Sequence, residues 1–129
     1  MKKTVLALLV SAGLFGGLTI TSANTEAATW HQGTPKALRG TWKTKPNRFF
    51  GNVVFTIRIG KNYSHAMGSD PDFLNKVKYQ YLGHHYYKIR GIETVYSHKP
   101  TTRYFKWDSK HHIQYNTTRS MKYGESYYR

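Results

Sequence analysis

The chain has 129 residues, with 20 Lys and Arg against six Asp and Glu, seven His, no Cys and a formal charge of +14. Without cysteine there are no disulfide staples, thiol nucleophiles or Cys-based zinc sites, and the length suits one small domain. No Gly-x-Ser-x-Gly elbow, P-loop or His-Glu-x-x-His occurs, so no catalytic motif is on offer.

Residues 1–27 carry the parts of a secretory signal peptide: Lys2 and Lys3 as a basic start, an apolar stretch from Val5 to Ile20, and small residues beyond it. Cleavage after Ala23 and cleavage after Ala27 both satisfy the small-residue rule. A membrane anchor is the poorer reading, because Ser11, Gly13, Gly16 and Gly17 interrupt the run and a span needs about 20 apolar residues. The Met-Lys-Lys start suits bacterial export, so a secreted protein associated with the cell envelope is expected. Taking Ala27 as the end of the leader, 129 less 27 leaves 102 residues, with 18 Lys and Arg against five acids, a formal +13. That remainder holds 12 Leu, Ile and Val but 19 aromatic residues, so rings must supply much of the core. Each large ring buries about 150–250 Å².

The first turn of the domain falls at Gly33 and Pro35, and a strand anchored by Trp42 is predicted over Leu38 to Thr44. Trp30, His31, Gly33, Thr34, Pro35, Lys36, Leu38, Arg39, Gly40 and Trp42 form the pattern Trp-His-x-Gly-Thr-Pro-Lys-x-Leu-Arg-Gly-x-Trp. This segment resembles the start of small secreted proteins of lactic-acid bacteria. The resemblance implies an exported compartment and brings no ligand or catalytic residue with it. Gly40-x-Trp42 is also similar to the first strand of lipocalin-like barrels, which implies a barrel whose aromatic interior holds a small apolar ligand.

Between Phe49 and Ile59, Val53, Phe55, Ile57 and Ile59 alternate with Val54, Thr56 and Arg58, which predicts a core strand. Gly60-Lys61-Asn62 turns it back into Tyr63 to Met67. Asp70 followed by Pro71 reads as an N-cap and first helical position, predicting one helical turn over residues 72–76. From Lys76 to Gly91 two alternating runs meet at a turn containing Gly83 and predict a hairpin. Val77, Tyr79 and Tyr81 share one face of its first strand, with Lys76, Lys78 and Gln80 on the other. His85, Tyr87 and Ile89 alternate with Tyr86, Lys88 and Arg90 in its second strand. A further strand is predicted over Ile92 to His98, and a last hairpin from Tyr104 to Asn116 around Asp108-Ser109-Lys110. Seven or eight short strands define an all-β class, a small antiparallel barrel or sandwich over residues 28–129.

The basic residues are scattered singly along strands, which places them on one face of a folded sheet and not in a disordered tail. Such an excess exceeds the charge magnitude of about 2–8 that solubility asks of a small domain, and it favours a polyanion. The expected contacts are Lys76, Lys78, Lys88 and Arg90, joined by Arg58, Arg103 and Lys106, and the expected partner is anionic cell-wall polymer or an anionic lipid surface. Export takes the domain away from nucleic acid as its usual partner. The five acids show no paired spacing, and a nuclease built on two His would rest on abundance alone, so the reading is non-enzymatic, with no cofactor. His84-His85 and His111-His112 point to opposite faces if extended and cannot chelate as pairs, so no metal site is expected. His84 and His85 are instead expected to respond to pH: as pH falls through about 6.5, seven His would carry the formal charge from +13 toward +20.

Overall fold

The computed structural model describes residues 29–129; the leader expected over residues 1–27 lies outside the described residues. Alternating side chains and short turns produce nine strands: β1 (His31–Gln32), β2 (Gly40–Lys43), β3 (Thr56–Ile59), β4 (Tyr63–Met67), β5 (Pro71–Gly83), β6 (Tyr86–Glu93), β7 (Pro100–Ser109), β8 (His112–Asn116) and β9 (Glu125–Tyr128). From β2 onward each strand pairs antiparallel with the next, β9 returns to β2, and the result is a closed eight-stranded up-and-down barrel. Closure leaves the barrel strands without a free edge along most of their length. β4 follows β5 as far as Asn75; beyond that point β1 takes its place, with Gln32 opposite Lys78 and His31 opposite Tyr79.

The inward positions are apolar. Trp42, Ile57, Leu74, Ile89, Phe105 and Ile113 are at most 1 % exposed, and they come from six different strands. Burial of each stabilises the fold by about 1.5–3 kcal/mol. Rings fill the remaining width, with Phe105 stacked on Tyr115 at 5.1 Å and Tyr127 set edge-on to Tyr115 at 6.1 Å between centroids. One end is plugged by Leu38, which sits on a short 3-10 turn over Lys36–Leu38 and whose carbonyl accepts the Trp42 indole N–H at 2.7 Å.

Several local expectations are corrected. No helical turn forms at residues 72–76, because β5 begins at Pro71 opposite Met67, and proline is tolerated at the first residue of a strand. β5 bulges between Asn75 and Lys78, and Lys76 takes φ +50°, so it leaves the face shared by Lys78 and Gln80. Gly91 on β6 makes room for that bulge, since a Cβ there would lie 2.6 Å from Val77 Cγ1. The β5–β6 turn is His84-His85, at φ +52° and +66° between the paired Gly83 and Tyr86, so His85 belongs to the turn and not to the second strand. The core strand expected from Phe49 shrinks to β3: Val53 and Val54 lie exposed where the chain closes a tip over Asn47. The strand expected over Ile92 to His98 stops at Glu93, whose carboxylate gathers the backbone N–H groups of Val95, Tyr96 and Ser97 into a turn.

A two-residue turn with both central residues at positive φ is the backbone that Asn-Gly favours. His84→Asn with His85→Gly is therefore expected to stabilise the domain by about 1 kcal/mol and to raise Tm by about 4–8 °C. Thermal unfolding followed by circular dichroism checks this; a lowered Tm would mean that the His pair makes contacts worth more than its backbone strain.

Candidate functional site

Period two sets the outward face of β5, β6 and β7 in register. Lys78 lies opposite Arg90 and Arg90 opposite Thr102; Gln80 lies opposite Lys88 and Lys88 opposite Tyr104; Tyr86 lies opposite Lys106. Four of the expected contacts, Lys78, Lys88, Arg90 and Lys106, thus share one wall of the barrel. Beside them is Trp30, which local patterning did not single out. Pairing of β1 with β5 brings its ring under Lys78 Nζ at 4.9 Å and Lys88 Nζ at 5.9 Å. Like charges directly opposite across strands are destabilising, and each cation over a ring at an exposed site returns about 0.5–1 kcal/mol. The indole therefore offsets part of the repulsion while leaving both ammonium groups charged. Arg90 donates to Thr102 Oγ1 at 2.9 Å. Lys106 lies 5.6 Å from the Tyr86 ring and 3.5 Å from Asp108 Oδ1.

The other expected contacts go elsewhere. Lys76, redirected by the bulge, lines a hollow of about 360 Å³ with Arg39, Lys61 and Asn62 beside the Leu38 plug. Arg39 is held there by donating from Nε to Thr34 Oγ1 at 3.0 Å and from Nη2 to the Thr34 carbonyl at 2.7 Å. Arg39 and Lys61 were not foreseen, since three distant segments meet at this place through tertiary folding alone. Arg58 lies on β3 opposite His65, on a different wall. Arg103 is a correction: it shares parity with the buried Phe105 and turns toward the barrel interior, where it is bound to a carboxylate. Counting alternation from Phe105 would have shown this. His84 and His85 are exposed at the tip of the hairpin that carries Lys78 and Lys88. The His85 ring lies 5.4 Å from Trp107, and its backbone N–H donates to Tyr81 Oη at 3.1 Å.

The end of the barrel away from Leu38 opens into a polar hollow of about 400 Å³ lined by Asp72, Glu93, Arg103 and Tyr115 among others. Arg103 grips Asp72 with a fork, Nε to Oδ2 at 2.8 Å and Nη2 to Oδ1 at 3.0 Å, and Tyr115 Oη also donates to Asp72. Burial pushes the Tyr115 hydroxyl well up, and the neighbouring Asp72 charge and hydrogen bond push it further. Burial alone would lower the Arg103 pKa, but the Asp72 hydrogen bonds and charge outweigh it and raise the value. Each of these groups is satisfied by another: Asp72 is held by Arg103 and Tyr115, and Glu93 by its own turn, including the Ser97 hydroxyl at 3.2 Å. Among the described residues no three of His, Asp and Glu converge as metal ligands.

Fold and wall together define a closed up-and-down β-barrel with a cationic outer face. Comparison with family models, with curated proteins and with solved structures finds no match for the chain.

Glu93 provides a pH test of this end. The Ser97 backbone N–H, against the opposing effect of burial and with help from the N–H groups of Val95 and Tyr96 and the Ser97 hydroxyl, lowers its pKa from 4.5 to about 2. A carboxylate depressed in the folded state contributes stability that is whole above pH 4.5 and is lost as pH falls through 2. Glu93→Gln is expected to remove that part of the acid limb, so the variant should be less stable than the parent at neutral pH and the gap should close toward pH 2. Thermal melts at stepped pH check it; a constant gap would contradict the assignment.

Proposed function

We propose that this protein is an exported, non-enzymatic β-barrel that associates electrostatically with an anionic polymer of the cell envelope through the outer wall of β5, β6 and β7. The observation that carries this reading is the placement of Lys78 opposite Arg90, with Lys88 one row on and Trp30 between the lysines. A folded domain gains no stability from facing cations, whereas a phosphate-bearing chain laid across the wall would pair them. Asp108 is the carboxylate within ion-pair distance of this wall among the described residues, and it touches Lys106 at its margin. The signal-peptide pattern supplies the compartment, and a bacterial envelope supplies the polymer.

The interior argues against the alternative reading, a lipocalin-like barrel around a small apolar ligand. Trp42, Ile57, Ile89, Phe105 and Ile113 have no surface that water can touch, so no water-sized space adjoins them. A barrel of this strand number is just wide enough for its own side chains to fill.

Lys78→Gln, Lys88→Gln and Arg90→Gln combined are expected to weaken binding to purified cell walls about tenfold or more at low salt, with unchanged circular dichroism. Retention of full affinity would move the contact away from this wall. Binding at fixed moderate salt is also expected to tighten between about pH 7.5 and about pH 5 as histidines gain charge, and His84→Ala with His85→Ala to blunt the rise. A flat or falling affinity in a folded protein would leave the His pair as turn chemistry alone.

A further inference from the structure

The exposed hydrophobic side chains of this barrel are gathered at one end. Except for Tyr81, every large apolar residue that the described chain leaves exposed lies on or next to the connections at the open, polar mouth. The β2–β3 connection contributes Phe49, Phe50, Val53 and Val54, with Phe49 at 94 % and Phe50 at 63 % exposure. Tyr96 from the β6–β7 connection is 64 % exposed and Tyr123 from the β8–β9 connection is 81 % exposed. Isolated exposed apolar residues are ordinary, but clusters on one surface mark an interaction site.

The Phe49-Phe50 tip is built and not merely loose. Asn47 Oδ1 accepts the Phe49 N–H at 2.9 Å, and the Asn47 carbonyl accepts the N–H groups of Phe50 at 3.1 Å and Asn52 at 2.8 Å. Gly51 and Asn52, at φ +70° and +62°, close the turn, and Asn47 pairs with Val53 to carry the hairpin out beyond β2 and β3. The backbone that carries the two phenyl rings is thereby fixed, and the rings themselves stand in solvent. Cations belong to the same end of the barrel: Arg48 lies in the tip itself, Lys45 stands at its base with Nζ 5.1 Å from the Tyr128 ring, and Lys122 on the β8–β9 connection has its Nζ 5.3 Å from the Tyr123 ring. The acids of this end are otherwise engaged, Asp72 with Arg103, Glu93 with the backbone and Glu125 with Tyr127 Oη, while Asp70 stands at the β4–β5 turn.

We propose that this end of the barrel docks on an anionic lipid bilayer, with Phe49 and Phe50 inserted at the headgroup boundary and Lys45 and Arg48 on lipid phosphates. Aromatic tips with basic neighbours suit the membrane interface, where one part of the surface is apolar and the other wet and negative. A soluble polymer would gain nothing from phenyl rings that cannot hydrogen-bond. A second copy of the chain would bring Lys45 and Arg48 against their own counterparts, whereas lipid phosphates neutralise them. The contact is end-on, because outward residues such as Arg58, Lys78 and Lys88 deny the wall the apolar belt of a spanning barrel. The compartment comes from the proposed function, but the polymer does not enter: wall binding and lipid binding use different residues.

The test uses residues 29–129, whose own strands close the barrel, and co-sedimentation with vesicles of equal parts phosphatidylglycerol and phosphatidylcholine, against phosphatidylcholine alone. The parent is expected to bind the anionic vesicles. Phe49→Ser with Phe50→Ser is expected to weaken that binding about tenfold or more with unchanged thermal unfolding. Lys45→Gln with Arg48→Gln should remove most of the preference for phosphatidylglycerol, and Lys78→Gln with Lys88→Gln should change lipid affinity less than about threefold. Absence of binding by the parent, or equal binding by the Phe49 and Phe50 variant, overturns the proposal. So does a parent dimer, seen by analytical ultracentrifugation, that the same variant dissociates, since the rings then belong to a second copy. A parent that binds the anionic vesicles but not purified cell walls would sink the polymer reading alone.

Discussion

Closure of the barrel rests on Trp42. The seam between β2 and β9 has a single register pair, Lys43 opposite Tyr128, and is the shortest pairing in the barrel. Trp42 compensates by joining three parts of the chain: its indole N–H binds the Leu38 plug, its backbone pairs opposite Ile57 on β3, and the Arg129 guanidinium lies 4.0 Å from its ring centroid. Arg129 in turn donates to the carbonyls of Arg39 at 2.5 Å and Lys110 at 2.7 Å, tying the end of β9 to the approach to β2 and to the β7–β8 turn. These contacts span almost the whole domain in sequence, so their loop-closure entropy is met late in folding. Once closed, the centre of the barrel is filled by side chains such as Trp42, Ile57, Ile89, Phe105 and Ile113, and open space is left at the polar mouth.

The few acids explain why so much positive charge stays on display. Asp72 is held by Arg103 and Tyr115 inside the mouth, Glu93 by the backbone of its own turn, and Asp108 by Lys106, Gln114 and His112. Most acids thus serve local structure and leave the cations of β5 and β6 unneutralised. Trp30 softens the repulsion between them without removing charge. An electrostatic surface of this kind reaches beyond contact distance at low ionic strength and is screened over about 8 Å at physiological salt.

The barrel class and most hairpins were legible because alternation and turn residues are local signals. The alternating Tyr and Lys of residues 76–91 are enough by themselves to put Lys78, Lys88 and Arg90 on one face. What failed was information carried by distant partners. Asp70-Pro71 has the chemistry of a helix start, yet pairing of Pro71 with Met67 and capture of Asp72 by Arg103 decide for a strand. Phe49, Val53 and Val54 have the composition of a core strand, yet Asn47 folds them into an exposed tip. Trp30 joined the site through β1–β5 pairing, which nothing near it in sequence encodes. Arg103 was a failure of a different kind, since its parity with Phe105 was visible all along.

Salt dependence of binding to purified cell walls tests the electrostatic wall most directly. Log affinity is expected to fall linearly with log salt, and replacing Lys78, Lys88 and Arg90 by Gln is expected to make the slope shallower by up to about one for each cation removed. An affinity independent of salt, or a slope unaltered by those replacements, would contradict the assignment of this face.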